Sequence, residues 1–316
     1  MTMRIRNNTL FNNFKTKLDC YSKQERTLEG LQTIDSLEVL SCQLVDSVRR
    51  VNYLAAIANR PISDTRKNPN SSIFDPLRAA VLHLNDGNFD EACWLVFLST
   101  HFGKNIDTGW QLCADIYSCY GGDELWSWQN ITDDFQAFAA WYQATIPNML
   151  LDGIKRKFGN HRKYETLRID SHRSTLRVLR SYVEWVGGTR SHEVRFNECG
   201  NIEDRYALFD NLYASLKSVS SFGRTAKFDY LTMLNKVGII DIEPAKLYLS
   251  DATGPKQGAK QLFFANPNRS ITNLELESRC VELADYLPIE KLKMQVLEDA
   301  LCNWQKSPEN YRYFGG

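Results

Sequence analysis

Apolar residues recur at intervals of three and four along most of the chain, a spacing that predicts helices with one buried face. The first series consists of Leu28, Leu31, Ile34, Leu37, Leu40, Leu44 and Val48. A second stretch, from Phe89 to Leu98, is apolar almost all round, so we expect a central buried helix that ends at Gly103. A third helix is predicted from Thr108 to Tyr120. Apolar and polar residues rarely alternate as they do in strands, and the predicted fold class is all-α.

The composition is that of a soluble globular chain. The 316 residues are 43% apolar and 24% charged, with 38 basic and 38 acidic side chains, a balance that excludes disordered and fibrous proteins. No apolar run approaches the length of a membrane-spanning helix, and the N-terminus lacks the apolar stretch of a signal peptide. We therefore expect a cytoplasmic protein with no membrane partner. The sequence identifies no protein partner.

The eight cysteines form no Cys-x-x-Cys pair, and the five histidines complete no zinc-binding spacing. The cysteines are dispersed through apolar or amphipathic stretches of a chain that is too large to need disulfide bonds for stability. We expect reduced, structural thiols, with no metal and no cofactor.

The charge distribution changes between Gly153 and Arg180. These 28 residues contain nine lysines and arginines, but their only acids are Glu165 and Asp170. One interpretation is a solvated helix face with a loop, and the other is a surface that contacts phosphates. The zero net charge of the chain does not exclude the second interpretation, because the excess is local.

The segment from Ser220 to Asn266 carries the most informative pattern. A helix is predicted to open after Gly223, and a short helix from Ala245 to Leu249 precedes the stretch Ala252-Thr253-Gly254-Pro255-Lys256-Gln257-Gly258-Ala259-Lys260. A glycine turn that opens a helix leaves backbone N–H groups unpaired, and the helix dipole favours an anion there. Gly254 would let the backbone approach a phosphate closely, and the two lysines add positive charge.

This segment resembles the helix-hairpin-helix element of the DNA glycosylases related to endonuclease III, in which the hairpin reads Gly-hydrophobic-Gly-x-Lys-x-Ala. The resemblance implies that the hairpin, at about residues 245–263, contacts the DNA backbone together with neighbouring cations. The implied DNA-binding residues are Thr253, Gly254, Lys256, Gly258, Lys260, Arg224 and Lys104. A phosphate clamp without catalysis is the alternative, because other proteins use this hairpin only to hold DNA.

A wider resemblance covers about residues 70–305. Four stretches, Asp75 to Ala80, Phe89 to Lys104, Phe222 to Leu262 and Asp299 to Gln305, are together similar to the third clade of the alpha-glutamyl/putrescinyl thymine pyrophosphorylases. That group is regarded as having the DNA-glycosylase fold. The resemblance therefore implies a helical glycosylase-like domain over residues 71–316, preceded by an N-terminal helical section over residues 1–70.

The resemblance also implies a function in DNA base chemistry. Members of the group are associated with phage thymine hypermodification or, in bacteria, with defence by excision of modified phage bases such as glucosylated hydroxymethylcytosine. The expected partner is double-stranded DNA that carries modified bases, and the expected product is an abasic site. Two alternatives stay open: an enzyme of thymine hypermodification on the same fold, and a DNA-binding module without catalysis.

Base excision requires a carboxylate that stabilises the sugar cation and orients water, or an amine that attacks the sugar. Glycosylases that also cut the abasic strand carry a lysine in the hairpin, and Lys256 stands at that position. Leu274 and Glu275 occupy the place of the usual catalytic aspartate, which departs from the family pattern. The candidate acids are therefore Glu275, Glu277, Asp229 and Asp251. The alternatives are a phosphate contact for the lysine and a helix-terminal or capping role for the acids.

A flipped nucleotide leaves a gap in the duplex that a wedge must fill. The stretch Thr100-His101-Phe102 corresponds to the glycosylase region that enters this gap, so the resemblance assigns it to the base pocket or wedge. His101 would donate or accept a hydrogen bond at a base or sugar, and Phe102 would stack. A histidine beside a phenylalanine is also a common structural pair, and that interpretation stays open.

Overall fold

The structure, a computed structural model, describes residues 7–314. Residues 1–6 and 315–316, at the outer ends of the two predicted sections, lie outside this range. The described residues form fourteen α-helices and no β-strand, which confirms the prediction of an all-α fold. The helices are α1 (Asn8–Gln24), α2 (Ile34–Ala58), α3 (Pro76–Asn85), α4 (Phe89–Phe102), α5 (Gln111–Tyr117), α6 (Trp128–Asp133), α7 (Phe135–Leu151), α8 (Thr175–Val186), α9 (His192–Cys199), α10 (Arg205–Ser215), α11 (Arg224–Val237), α12 (Gly254–Phe264), α13 (Asn273–Tyr286) and α14 (Lys293–Trp304).

The chain divides into two compact units. Unit 1 consists of the residues up to Leu54 and those from Glu243 onward, and unit 2 consists of residues 55–242. The boundary predicted near residue 70 falls within unit 2. The N-terminal helices join unit 1 because apolar side chains of α1 and α2 form one buried cluster with those of α12, α13 and α14.

The core of unit 2 is built around α4, in which every residue from Ala92 to Phe102 is buried. The ring of Phe97 stacks on that of Tyr182 in α8, with centroids 3.5 Å apart, and the Tyr182 hydroxyl is 2.7 Å from that of Tyr230 in α11. Gly103 ends the helix with a φ of +65°, which a glycine adopts without strain. The prediction of a central helix that ends at this glycine is confirmed.

Two other predicted helices begin later than expected. The apolar series from Leu28 to Val48 is not one helix, because α2 begins at Ile34 and a separate 3-10 turn occupies Glu29–Leu31. Gly30 in that turn lies against α12, where a Cβ would be 2.3 Å from the carbonyl oxygen of Gln261. The helix predicted to begin at Thr108 begins at Gln111, because a tight loop over residues 105–109 precedes it.

The short helix predicted from Ala245 to Leu249 is wrong. This stretch is irregular up to a 3-10 turn at Leu249–Asp251. The carboxylate of Glu277 in α13 accepts the backbone N–H groups of Leu247 and Leu249, with a distance of 2.8 Å to the first. A charged acceptor in another helix therefore binds two backbone donors of this stretch and holds it as a loop.

Helix α12 packs closely on α14 through two glycines. A Cβ at Gly258 would lie 2.4 Å from the carbonyl oxygen of Leu301, and a Cβ at Gly254 would lie 2.7 Å from Sγ of Cys302. Each glycine therefore faces α14 on the side where any other residue would carry its Cβ atom. Close helix packing explains both glycines without a ligand.

All eight cysteines are free thiols, in agreement with the expectation from the sequence. Burial, with smaller contributions from Asp46 and Glu38, raises the pKa of Cys42 to about 12, so this thiol stays protonated at neutral pH. Between residues 7 and 314, no cluster of three or more His, Cys, Asp or Glu side chains has an arrangement suited to a metal ion. No helix in the same range has the length and apolar character needed to cross a membrane.

We expect Gly258→Ala to lower the free energy of unfolding by about 1–3 kcal/mol, because the added methyl group overpacks the contact between α12 and α14. Gln257→Ala, at an exposed position of the same helix, is the control and should stay within about 0.5 kcal/mol of the wild type. Urea unfolding followed by circular dichroism measures both. Equal losses in the two variants would contradict the packing role of the glycine.

Candidate functional site

The last turn of α4 is anchored by the segment between α7 and α8, residues 152–174, which we call the basic connection. The N–H of Gly159 donates to the carbonyl of Phe102 at 2.8 Å, and Nε of Arg162 donates to the carbonyl of Thr100 at 2.7 Å. Carbonyls at the end of a helix have no partner within the helix, and a cation suits the negative end of its dipole. The basic connection therefore satisfies polar groups that the core of unit 2 would otherwise leave unpaired.

The same arginine holds an acid of α11. Nη2 of Arg162 is 3.1 Å from Oδ2 of Asp229, and the arginine side chain is 9% exposed whereas the aspartate side chain is 38% exposed. A buried guanidinium that is also bonded to Thr100 has little freedom to move. Asp229 is thus oriented from the protein interior while part of its carboxylate reaches solvent.

Two of the other predicted acids have structural roles in unit 1. Glu275 lies exposed in the first turn of α13 and forms an ion pair with Arg279, at 2.6 Å and four residues further along the helix. Glu277 holds the loop that precedes α12, as described above. The helix-terminal interpretation of Glu275 agrees with this placement.

The start of α12 keeps the features expected of an anion-binding helix terminus. Thr253 is the N-cap residue but makes no capping hydrogen bond through its side chain, and Pro255 lies in the first turn. Lys256 and Lys260 are half-buried and four residues apart, so they lie on one face of the helix. Asp251 is exposed and ends the preceding 3-10 turn, so it is not the cap of α12.

The two remaining predicted DNA contacts belong to unit 2. Arg224 is the first residue of α11, and its guanidinium lies over the ring of Phe228, 4.9 Å from the centroid. Lys104 is exposed and directly follows Gly103. The predicted DNA-binding residues are therefore divided between the two units, and their contact with DNA stays a prediction.

The residues predicted to form the base pocket or wedge are core residues. Thr100, His101 and Phe102 are 7%, 2% and 0% exposed. Nε2 of His101 is 3.0 Å from Oγ1 of Thr175, and burial with the nearby Arg162 lowers the pKa of His101 to about 3, so the ring is neutral. Their burial contradicts a wedge role, because a wedge must be exposed to enter a duplex.

An exposed apolar tip lies close in sequence to the mispredicted wedge. Ile106 is 90% exposed in a loop where Asn105 and Gly109 exchange backbone hydrogen bonds of 3.0 and 2.9 Å. The side chain of Asn105 makes three further hydrogen bonds, one of them to the carbonyl of Phe158 in the basic connection at 3.0 Å. The asparagine at position 105 is the sequence signal for this loop, because asparagine side chains form turns with the backbone that follows them.

Sequence reasoning also missed Glu165 as a titrating group. Its backbone N–H donates to the carbonyl of Arg162 at 3.0 Å, and its side chain is half-buried. Burial raises the pKa of Glu165 to about 7, although Arg162 and Arg173 both act to lower it. This carboxyl group therefore changes its charge near neutral pH.

The titration of Glu165 predicts a pH dependence of stability. A carboxyl group with a raised pKa in the folded state binds its proton more tightly there, so stability falls as the pH rises from the ordinary glutamate pKa to about 7. The free energy of unfolding of the wild type should fall between pH 5 and pH 8. In Glu165→Gln this fall should be smaller by about 1–2 kcal/mol, after allowance for solvent screening. Urea unfolding at both pH values measures the difference. Glu193→Gln, at an exposed position, should lose as much as the wild type, and equal pH profiles for all three proteins would contradict the assignment.

The described chain is thus an all-α protein with a buried arginine and a partly exposed aspartate in one unit and a cationic helix start in the other. Residues 35–316 match the family alpha-glutamyl/putrescinyl thymine pyrophosphorylase clade 3, and the chain belongs to this family. The resemblance inferred from the sequence is confirmed. The family name describes an enzyme, which makes the chain enzyme-related. No curated protein and no solved structure matches the chain.

Proposed function

We propose that this protein is a DNA glycosylase that excises a bulky modified pyrimidine from phage DNA and leaves an abasic site, as antiphage defence. The best candidate base is alpha-glucosyl-5-hydroxymethylcytosine. The observation that carries the proposal is the Asp229 carboxylate, which a buried arginine orients and which still reaches solvent. Membership of a family named for thymine chemistry agrees with a pyrimidine substrate.

The proposed chemistry follows from the charge that develops on the sugar. When the N-glycosidic bond breaks, its electron pair leaves with the base and positive charge remains on the sugar ring. A carboxylate at a fixed position stabilises this charge, and it takes a proton from the water molecule that attacks the anomeric carbon. Asp229 is assigned this role, and Arg162 is a positioning residue because it acts through the aspartate.

Two features of the chain favour functions other than base excision. The family name itself describes a pyrophosphorylase, which favours an enzyme of thymine hypermodification. Leu274 and Glu275 at the place of the usual aspartate favour a DNA-binding module without catalysis. Lys256 would act as an amine nucleophile only in a glycosylase that also cuts the abasic strand, and it would otherwise contact a phosphate.

The test is incubation of the protein with DNA from phages that carry glucosylated hydroxymethylcytosine, other hypermodified pyrimidines or unmodified bases. Mass spectrometry detects the released base, and alkaline cleavage detects abasic sites. We expect free modified base from one of these DNAs alone. DNA binding without base release from any of them would overturn the glycosylase proposal in favour of a clamp or a modification enzyme.

We expect Asp229→Asn to slow base release by about 10²- to 10⁴-fold, because the amide keeps the shape of the side chain but removes its charge. Asp133→Asn is the matched control, since Asp133 forms an exposed ion pair with Arg190 in the same unit, outside the basic connection, and should leave the rate unchanged. Single-turnover base release measures the rates, and circular dichroism confirms that each variant is folded. A rate for Asp229→Asn close to that of Asp133→Asn would transfer the role to Asp251 or Glu275, whose amide variants complete the series.

Ile106 is the proposed wedge in place of Phe102. Isoleucine is among the apolar residues that enter base steps, and the hydrogen bonds of Asn105 hold its loop before DNA binds. Ile106→Ala should slow base release from duplex DNA by about 10-fold and from single strands by less than about 2-fold, since only the duplex must be opened. Ile202→Ala, which truncates another exposed isoleucine of unit 2, is the control in the same single-turnover assay. Equal effects on duplex and single-stranded substrates would contradict the wedge.

A further inference from the structure

Tyr164 in the basic connection has an exposed ring, and two cations lie over it. Its side chain is 67% exposed, Nζ of Lys163 is 5.1 Å from the ring centroid, and Cζ of Arg173 is 5.5 Å from it. Large aromatic residues in unit 2 are otherwise mostly core residues, as with Tyr142, which is 0% exposed. The ring of Tyr164 therefore belongs to the surface of unit 2 and not to its core.

The backbone on both sides of this ring is held in place. The N–H of Glu165 donates to the carbonyl of Arg162 at 3.0 Å, and the N–H of Thr175 donates to the carbonyl of Thr166 at 2.9 Å. The hydroxyl of Tyr142 donates to the carbonyl of Leu167 at 2.7 Å. An aromatic ring presented on an anchored backbone loses little conformational entropy when it binds a partner.

The charges of the basic connection divide into a structural group and an exposed group. The guanidinium of Arg156 is 5% exposed and pairs with Asp115 and Asp152, and that of Arg162 is buried, so neither is available to a ligand. The exposed cations are Lys155, Lys157, Lys163, Arg168 and Arg173. Asp107 pairs with Lys157 and Asp170 pairs with Arg168 at the surface, whereas Lys163 and Arg173 lie over the ring of Tyr164. The half-buried Glu165 directly follows Tyr164 and is the acid nearest to it in the chain.

We propose that Tyr164 is a stacking platform for an unpaired base of a DNA strand, with Lys163 and Arg173 as contacts for the neighbouring phosphates. Base stacking on an aromatic ring combined with cations along the backbone is the usual chemistry of single-strand binding. The inference rests on the proposed function, which requires a strand whose target nucleotide has left the stack. It adds that unit 2 holds this strand through Tyr164.

A second exposed tyrosine of unit 2 has acidic neighbours, which do not suit a nucleic acid. Tyr206 is 46% exposed, and Cζ of Arg205 lies 5.8 Å from its ring centroid. Arg205 also pairs with Asp241 at 2.9 Å, and Glu203 and Asp204 precede it in the chain. Acidic neighbours repel phosphates, so Tyr206 is the matched control for Tyr164.

The experiment measures the affinity of the full chain for fluorescein-labelled 20-nucleotide DNA by anisotropy at several salt concentrations. The probes are a mixed-sequence single strand, the same sequence as a duplex, and an RNA of that sequence. We expect Tyr164→Ala to weaken single-strand binding by about 5- to 100-fold, the usual loss for one stacked base. Tyr164→Trp should restore the affinity, Tyr206→Ala should leave it unchanged, and Lys163→Gln with Arg173→Gln should reduce its salt dependence.

The outcomes separate this inference from the proposed function. If Tyr164→Ala binds the single strand as tightly as the wild type, if Tyr206→Ala loses as much, or if RNA binds more tightly than DNA, the platform is wrong even where base release is found. No binding of any DNA by the wild type overturns it as well. If Tyr164 controls DNA binding but no phage DNA yields a free base, the platform stands and the glycosylase proposal fails.

Discussion

The carbonyl groups at the end of a fully buried helix need hydrogen-bond donors, and this requirement organises the candidate site of unit 2. Helix α4 is surrounded by protein, so water does not reach the carbonyls of its last turn, and an unpaired buried carbonyl is costly. Gly159 and Arg162 supply the missing donors from a segment that follows α7. Because Arg162 is committed to this position, its remaining N–H groups are available to fix Asp229. One solution to a folding requirement therefore also orients the proposed catalytic carboxylate.

Local patterns predicted those parts of the fold that depend on local interactions. The apolar run from Phe89 and the glycine at 103 were sufficient to predict α4. Burial on all sides requires a continuous apolar run, and a helix end with a positive φ favours glycine. The helix expected from Ala245 to Leu249 failed because its backbone donors are taken by Glu277, about 30 residues further along. A contact at that separation has no local signal, and it overrides the local helix propensity.

The candidate site was predictable only in part for the same reason. Asp229 was among the candidate acids, but its distinction from the others depends on Arg162, which is 67 positions away in the sequence. The wedge predicted at Phe102 is wrong because a phenylalanine at the end of an apolar helix is as well suited to a core as to a DNA gap. The raised pKa of Glu165 depends on the burial of a residue in a segment without regular structure, which periodicity does not reveal. The family resemblance indicates the chemistry of base excision, whereas a long-range contact distinguishes Asp229 from the other candidate acids.

The anchoring of the basic connection also bears on proteolysis. Trypsin cuts after lysine and arginine, and a long basic segment with little regular structure is ordinarily among its first targets because such segments adapt easily to a protease cleft. Here the segment is bonded to the core of unit 2 at Gly159, Arg162 and Leu167. Trypsin binds the side chain of the residue after which it cuts, so it cleaves after Arg162 only when this guanidinium gives up the carbonyl of Thr100 at the end of α4. The time course of cleavage after Arg162 therefore reports the local opening free energy of the α4 terminus, measured without unfolding the whole chain.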